Sequence, residues 1–237
     1  QIVNRIMSVK FYKSENQVPL EMHKVRVIQK LNLLPVDERL RAIQKAGNNT
    51  FLLQNKDIYL DMLTDSGVNA MSDRQTAAMH LADDAYAGSE AFNRLKAAMK
   101  EVFGTDNVLP AHQGRACENI LAERFVKPGT VAIMNFHFTT TKAHVTRCGG
   151  EVVEVLHKKG LIPQSDDPFK GDMDLQELRR VIEQYTPEKV AYVRVEAGTN
   201  LIGGQPVSLE NMLAVADVCH EYGVPSILDA SLLQDNI

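Results

Sequence analysis

The segment Ile227–Ile237, Ile-Leu-Asp-Ala-Ser-Leu-Leu-Gln-Asp-Asn-Ile, places one acidic residue directly after a short apolar run. The apolar run, which starts at Pro225, predicts a strand, and Asp229 lies at its carboxyl end. In open α/β sheets this edge is where ligands bind. The segment therefore predicts an α/β fold that carries a functional carboxylate at Asp229.

The sequence before this segment alternates between helical and strand patterns. Helical spacing of apolar residues covers 89–103, 114–126, 175–182 and 208–216, and strand patterns occur at 107–110, 131–134, 151–156, 190–195 and 225–229. Strands separated by helices of this length are joined by right-handed crossovers and lie parallel in the sheet. The predicted fold is α/β, with one mostly parallel sheet and flanking helices.

Composition narrows the class of protein. The chain has 237 residues, 24% charged and 44% hydrophobic, which is enough for one large domain or a domain with an arm. The net charge of -4 gives no general attraction to nucleic acid, and no apolar run reaches the roughly 18 residues of a membrane span. Three widely spaced cysteines, Cys117, Cys148 and Cys219, favour buried, reduced thiols and a cytoplasmic location. We expect small molecules or sister subunits as partners, with neither nucleic acid nor membrane.

Charge is concentrated at the beginning of the chain. Residues 1–50 hold nine lysines and arginines against four acidic residues. This pattern predicts an N-terminal basic arm or helical segment over 1–50, followed by a larger domain over 51–237. The arm is either an ordinary solvated extension or a segment that contacts a partner subunit.

Polar loops follow the predicted strands. The loop at 112–115 combines a helix start, a glycine and an arginine, which fits an anion cradle or an ordinary turn with an exposed arginine. The loop at 135–141 carries aromatic rings, which serve core packing or stack on a planar ligand. The third loop, 199–206, contains a glycine–proline turn that leaves the amide of Asn200 unexplained.

Five motifs resemble those of the β-eliminating lyases, the family of tyrosine phenol-lyase and tryptophanase. In order and spacing they are Leu63–Asp73, Asp84–Ser89, His112–Arg115, Phe138–Thr141 and Gly203–Ser208. The resemblance runs from about residue 34 to Asp229 and is closer to the phenol-lyases. It implies a pyridoxal phosphate (PLP)-dependent fold of the aspartate-aminotransferase type, of which residues 51–237 would form the first part of the large domain. It also implies a homo-oligomer, a dimer of dimers.

The resemblance assigns the cofactor contacts. The PLP phosphate would be bound by Gln113, Gly114 and Arg115. Phe138 would stack on the ring, and Asn200 would hydrogen-bond the ring oxygen. Asp229 would pair with the ring nitrogen and keep it protonated, so that the ring can accept electrons from the substrate.

The resemblance also assigns contacts to an amino-acid substrate. Tyr86 would be the general acid that protonates the leaving aromatic group, although without the family a partly buried structural tyrosine is the simpler interpretation. Thr139 would face the substrate hydroxyl, which favours a phenol-type leaving group. The remaining assignments are the substrate carboxylate at Thr64 and Ser66 and a potassium site at Gly67 and Asp84.

The sequence departs from the family pattern at three points. Asp84 stands where the family usually has glutamate, which leaves the potassium site open. Leu232 stands where the family has an arginine, and its loss removes a charge from the cofactor's surroundings. No lysine follows Asp229, although the fold places the Schiff-base lysine on a later strand.

These departures lead to one expectation and two alternatives. We expect a tyrosine-type carbon–carbon lyase that is active only with a complementary C-terminal chain or segment carrying the lysine. The first alternative is another PLP reaction on the same frame, either β-elimination from a cysteine-like substrate or transamination. The second is a non-catalytic subunit.

Overall fold

The computed structural model describes residues 8–10, 17–19, 30–63 and 70–236. The chain divides into two compact units, Gln1–Phe92 and Asn93–Ile237. These two units do not test the division into an arm over 1–50 and a domain over 51–237, which stays a prediction.

The N-terminal unit contains short elements. Strands β1 (Ser8–Lys10) and β2 (Gln17–Pro19) pair antiparallel, and helices α1 (Val36–Lys45) and α2 (Asp73–Leu81) follow. A capping box between Ser72 and Gln75 starts α2, because each side chain accepts a hydrogen bond from the other residue's N–H group. Helix α3 (Glu90–Phe103) begins at the end of this unit, and the Ser89 hydroxyl accepts the N–H of Phe92, as the predicted cap requires.

A parallel sheet forms the centre of the C-terminal unit. Its strands in the described ranges are β3 (Val131–Met134), β4 (Glu151–Glu154), β5 (Val190–Glu196) and β6 (Ser226–Asp229). They lie in the order β4-β3-β5-β6, and every neighbouring pair is parallel. All seven residues of β5 are buried, as expected for a central strand of such a sheet. The predicted α/β fold with a parallel sheet is confirmed.

Helices cover both faces of this sheet. They are α4 (Gly114–Phe125), α5 (Thr139–Arg147), α6 (Leu175–Tyr185) and α7 (Leu209–Tyr222). The Asp174 carboxylate caps α6 and the Ser208 hydroxyl caps α7, each by accepting backbone N–H groups of the first turn. Each of these helices agrees with a predicted helical pattern except α5, which the sequence patterns did not identify.

The core has one layer on each face of the sheet. Helices α4 and α5 pack against Ala132, Met134 and Tyr192, and helices α6 and α7 pack against the opposite face, which includes Ile133 and Val193. Burying an aliphatic side chain of this size stabilises a fold by about 1.5–3 kcal/mol. The two apolar layers therefore fix the sheet between its helices.

Two expectations are wrong, the strand at 107–110 and the burial of Cys117. Residues 107–110 form no strand, because they pair with no described strand and Pro110 has no N–H group to donate. Within α7, Leu209 and Leu213 are exposed, whereas Asn211, Val215, Val218 and Cys219 are buried. Cys219 is buried as expected, but Cys117 is exposed. All three thiols are free.

None of the helices in the described ranges combines the length and the apolar character that a bilayer crossing needs.

Replacing Leu178 with alanine tests the layer formed by α6. Leu178 is fully buried, so Leu178→Ala should lower the free energy of unfolding by about 2–5 kcal/mol. Leu213→Ala on α7 is the matched control, because Leu213 is 58% exposed and should cost less than about 1 kcal/mol. Urea denaturation measures both changes, and equal losses would contradict this packing.

Candidate functional site at the carboxyl edge of the sheet

Connections between the elements bring several predicted site residues to one edge of the sheet. The tight loop at 126–130 joins the end of α4 to the start of β3, so that α4 runs antiparallel to β3 and Gly114 lies toward the carboxyl edge. Helix α5 begins shortly after β3 ends, which places Phe138 at the same edge. Asp229 ends β6, also at this edge.

Strand alternation decides which side chains share a face with α4 and α5. Tyr192 and Ile227 pack in the same layer as these helices. Because side chains alternate along a strand, Arg194 and Glu196 of β5 and Asp229 of β6 lie on that same face. This face therefore changes from apolar to charged toward its carboxyl edge.

The charged side chains form a buried cluster. The Arg194 guanidinium donates from Nη2 to Oδ2 of Asp229 over 2.5 Å and from Nη1 to Oε2 of Glu196 over 3.4 Å. The side chains of Arg194 and Glu196 are only 4% and 3% exposed, and that of Asp229 is 22% exposed. Asp229 is thus the member of the cluster that a ligand can reach.

The two acids of this cluster respond differently to burial. Burial by itself would raise the pKa of the Asp229 carboxyl, but the charge of Arg194 and hydrogen bonds from Ser231 outweigh it and lower that pKa. For Glu196, burial dominates and the nearby Asp229 charge adds to it, so its pKa is raised despite Arg194. Asp229 is therefore ionised at neutral pH, and Glu196 holds its proton more tightly than an ordinary glutamate.

Asn135 ties the ends of β3 and β5 together. Its buried amide Nδ2 donates to the carbonyls of Gly171 and Glu196 and to the Thr199 hydroxyl, over 3.0–3.1 Å. Its Oδ1 accepts the N–H of Glu196 over 3.1 Å. One side chain thus satisfies several buried polar groups and fixes the loop that leads to Asn200.

Asn200 lies in a tight loop after β5. Its N–H donates to Oε1 of Glu196 over 3.4 Å. Backbone pairing between Thr199 and Gln205 closes the loop, and Gly203 has a φ of +93°, a backbone conformation that favours glycine. The loop therefore holds Asn200 next to the charged cluster.

The N-termini of α4 and α5 provide the other predicted contacts. Gln113 occupies the cap position of α4, and its side chain accepts no N–H group of the first turn. The N–H of Ala116 donates to the Gln113 carbonyl, which leaves the N–H groups of Gly114 and Arg115 for an anion. Phe138 is half-buried at the cap position of α5, and Thr139 is exposed. The next two threonines, Thr140 and Thr141, donate to the Glu118 carboxylate and so hold α5 against α4.

Leu232 packs against the backbone of Gly198. Gly198 has a φ of +76°, and a Cβ added there would lie 2.8 Å from the Leu232 Cβ, so only glycine fits. The Asn236 side chain accepts the N–H groups of Gly198 and Val207, which holds the segment after Asp229 in place. The position that carries an arginine in the family pattern is therefore apolar here, and the guanidinium at Asp229 comes from Arg194.

Other predicted site residues belong to the N-terminal unit or lie outside the described residues. Tyr86 and Asp84 are exposed and belong to the N-terminal unit. Thr64, Ser66 and Gly67 lie outside the described residues. In the described part of the chain, His, Cys, Asp and Glu side chains form no group of three or more that could hold a metal ion. The potassium site stays a prediction.

Sequence reasoning missed Arg194, Glu196 and Asn135. A signal for the first two was present, because two charged residues at alternate positions interrupt an otherwise apolar strand. Charged side chains are almost never fully buried unless they are paired, so this pattern predicts a buried ion pair on one face of the strand.

Comparison with known proteins agrees with this fold. Among solved structures, an alanine aminotransferase from Pyrococcus furiosus matches with a TM-score of 0.50 and 16% identity, over 65% of this chain and 38% of that one. The chain thus has an α/β fold of the aspartate-aminotransferase type. The family model for the β-eliminating lyases matches residues 61–237. The chain belongs to the β-eliminating lyase family.

The most similar relatives include two tyrosine phenol-lyases. That of Nostoc punctiforme is 44% identical over 91% of this chain and 46% of its own length. That of Clostridium tetani is 40% identical over 93% of this chain and 48% of its own length. The chain spans about half the length of the curated relatives that it matches.

Replacing Asn135 tests its role at the strand ends. Asn135→Ala leaves buried donors and acceptors without partners, each of which costs about 1–3 kcal/mol, so we expect the unfolding free energy to fall by about 3 kcal/mol or more. Asn119→Ala is the control, because the Asn119 side chain bonds Arg147 at the surface and should cost less than about 1 kcal/mol. A similar small loss in both variants would show that Asn135 is not a structural anchor.

The two acids should show opposite pH dependence of stability. The lowered pKa of Asp229 stabilises the fold above the unfolded pKa of about 3.9, and this contribution is lost as pH falls through the folded pKa. The raised pKa of Glu196 does the reverse: its contribution is present below the unfolded pKa of about 4.3 and is lost as pH rises.

Denaturation of Asp229→Asn and Glu196→Gln across a range of pH measures both effects. Relative to the unchanged protein, Asp229→Asn should lose more stability at neutral than at acidic pH, whereas Glu196→Gln should become relatively more stable as pH rises. If the stability of both variants, relative to the unchanged protein, changed in the same direction as pH rises, the assigned charge states would be contradicted.

Proposed function

We propose that this protein is a PLP-dependent carbon–carbon lyase that cleaves tyrosine or a closely related aromatic amino acid to an aromatic product, pyruvate and ammonia. The observation that carries the proposal is Asp229, an ionised and partly accessible carboxylate at the carboxyl edge of the sheet. Family membership and similarity to tyrosine phenol-lyases support the choice of reaction and substrate.

The residues at this edge fit the chemical groups of PLP. A phosphate dianion suits the uncapped first turn of α4, where Gly114 and Arg115 follow Gln113. Beside Gly114 the space is open, since an added Cβ there would meet no atom within 4 Å. A protonated ring nitrogen suits the Asp229 carboxylate, and the half-buried Phe138 offers an aromatic face to a planar ring.

When bound, PLP supplies an electron sink that stabilises the negative charge left on the substrate Cα after its proton is removed. Asp229 holds the proton on the ring nitrogen, which keeps the ring electron-poor. The first turn of α4 binds the phosphate and so fixes the position of the ring. The Asn200 side chain hydrogen-bonds the ring oxygen, and its loop is anchored through Glu196 and Asn135.

The substrate assignments rest on the family motifs. Tyr86 is the general acid that gives its phenolic proton to the leaving aromatic carbon. Thr139 hydrogen-bonds the hydroxyl of the substrate ring, which its exposed position at the start of α5 allows. The hydroxyls of Thr64 and Ser66 bind the substrate carboxylate, and a potassium ion at Gly67 and Asp84 is part of the same proposal.

A lysine that forms the Schiff base is also required. No lysine follows Asp229 in the sequence, and the relatives extend to about twice the length matched here. We therefore place this lysine in a further segment or a complementary chain. The remaining features of the proposal are a homo-oligomer and a cytoplasmic location, for which three free thiols are the supporting observation.

Product analysis tests this function. The chain is mixed with PLP and tyrosine, alone and together with the polypeptide that supplies the lysine, and pyruvate and phenol are measured. We expect equal amounts of both products in the complete mixture and none with the chain alone. Asp229→Asn should lower the rate by about 100-fold, the usual cost of losing one preorganised electrostatic partner.

Asp235→Asn is the matched control, because it removes an exposed carboxylate from the same segment and should leave the rate unchanged. Pyruvate from cysteine without phenol from tyrosine would favour another β-elimination, and exchange of the amino group with a keto acid would favour transamination. A complete mixture that neither binds PLP nor forms product would contradict the proposal and favour a non-catalytic subunit.

A further inference from the structure

Arg194 differs from the other arginines whose ion pairs are described. Arg147, Arg179 and Arg180 pair with acids at the surface, and their side chains are 41–58% exposed. The Arg194 side chain is 4% exposed and lies on a central strand. A guanidinium in this position has been removed almost completely from water.

Stability alone does not account for a buried arginine. Desolvating two charges usually costs as much as their attraction returns, and apolar residues of similar volume often serve the core equally well. The neighbours of Arg194 on the same face, Tyr192 and Ile227, are part of an apolar layer that a larger aliphatic side chain could have extended. The buried charge of Arg194 therefore indicates a role that depends on its bond to Asp229.

Glu196 holds the Arg194 guanidinium through the nitrogen that does not contact Asp229. Nη1 of Arg194 donates to Glu196, and the backbone N–H of Glu196 is itself bonded to the buried Asn135. Nη2 is then directed across the strand pair to Oδ2 of Asp229. Glu196 and Asp229 are also neighbours in the register of β5 and β6. Strand pairing and the ion pair therefore hold the same two segments together.

We propose that Arg194 is a positioning residue for the cofactor's acid: it holds the Asp229 carboxylate from within the sheet and keeps it charged toward the ring nitrogen. This inference rests on the proposed function. The guanidinium in this role comes from β5, whereas Leu232 is apolar and packs against Gly198.

Asp229 retains room for a further donor. Its Oδ2 accepts from Arg194, its Oδ1 accepts the N–H of Ser231 over 3.0 Å, and the Ser231 side chain also hydrogen-bonds the carboxylate. A carboxylate offers about four lone-pair positions, so one remains for a ring N–H. The 22% of the side chain that is exposed provides access to it.

The electrostatic consequence is a dependence on pH. Burial favours the neutral form of Asp229 and Arg194 opposes it, so removing the guanidinium should let the carboxyl take up a proton at higher pH. The other titratable groups around Arg194 are Glu196 and Tyr192 on β5, and Tyr192 in turn interacts with Glu118 on α4 and Cys148 after α5. Burial raises the pKa of Tyr192 to about 12, so it stays neutral.

The test is the affinity for PLP in the complete protein, with the lysine-bearing segment present. The dissociation constant is measured by absorbance titration at about pH 8 and about pH 5.5, values that bracket the range in which a buried carboxyl without a cation titrates. The variants are Arg194→Met, Arg194→Lys and the matched control Arg179→Met, which breaks the surface pair with Glu221.

For Arg194→Met, the ratio of its dissociation constant to that of the unchanged protein should increase by about tenfold from pH 8 to pH 5.5, because a buried carboxyl without a cation titrates above pH 5.5 and must lose its proton before it can pair with the ring nitrogen. Arg194→Lys keeps the charge but cannot bond both acids, so its affinity should be about threefold lower at both pH values. Arg179→Met should match the unchanged protein. Expressing each result as a ratio removes the titration of PLP itself.

Circular dichroism and urea denaturation establish that each variant is folded. If Arg194→Met is unfolded, Arg194→Lys decides, and an affinity equal to that of the unchanged protein overturns the inference. Folded Arg194 variants that bind PLP like Arg179→Met at both pH values also overturn it, and the proposed function then stands. If the unchanged protein does not bind PLP, the proposed function fails and this inference fails with it.

Discussion

The ion pair between Arg194 and Asp229 is the interaction on which the site depends. It joins two neighbouring parallel strands at their carboxyl ends and places a negative charge where the sheet opens to ligands. Without the guanidinium, burial would favour the neutral acid, which could not stabilise a protonated ring nitrogen. One charged bond thus connects the packing of the sheet to the chemistry of the site.

The parallel sheet makes this arrangement possible. Every strand of a parallel sheet ends at the same edge, so residues far apart in sequence arrive there together. Asn135 after β3 and Asn200 after β5 meet around Glu196. The helices on the same face begin at this edge, and their first turns present N–H groups and Phe138 to the same space. The proposed cofactor contacts are consequences of this topology.

The positive charge beside Asp229 comes from within the sheet. Leu232 packs against Gly198, a contact that requires glycine, so position 232 is apolar. The guanidinium that bonds Asp229 belongs to Arg194 on the adjacent strand and is almost completely buried.

The strands of the parallel sheet and most of the helices around it could be predicted from the sequence, because apolar periodicity and caps such as Asp174 and Ser208 depend on local residues. The strand at 107–110 failed because pairing requires a partner that periodicity does not reveal. Periodicity also does not reveal which leucines of α7 are buried: Leu213 is as apolar as a core residue, and only the packing of the helix decides that it faces solvent.

The site could be predicted only in part. The edge and Asp229 follow from strand polarity, and the cofactor roles follow from the motifs. Arg194 and Glu196 were visible as charges within an apolar strand, but their partner depends on strand order, which places β6 beside β5. Asn135 could not be identified, because its four bonds reach backbone and side-chain groups from two distant segments, Gly171 and the end of β5.

A crystal structure of the complete protein with PLP bound would test the central claim most directly. We predict that the ring nitrogen lies about 2.8 Å from a carboxylate oxygen of Asp229, the usual length of a charge-assisted hydrogen bond, while Arg194 remains bonded to the same carboxylate. A ring bound elsewhere, or a ring nitrogen facing a group other than Asp229, would contradict it.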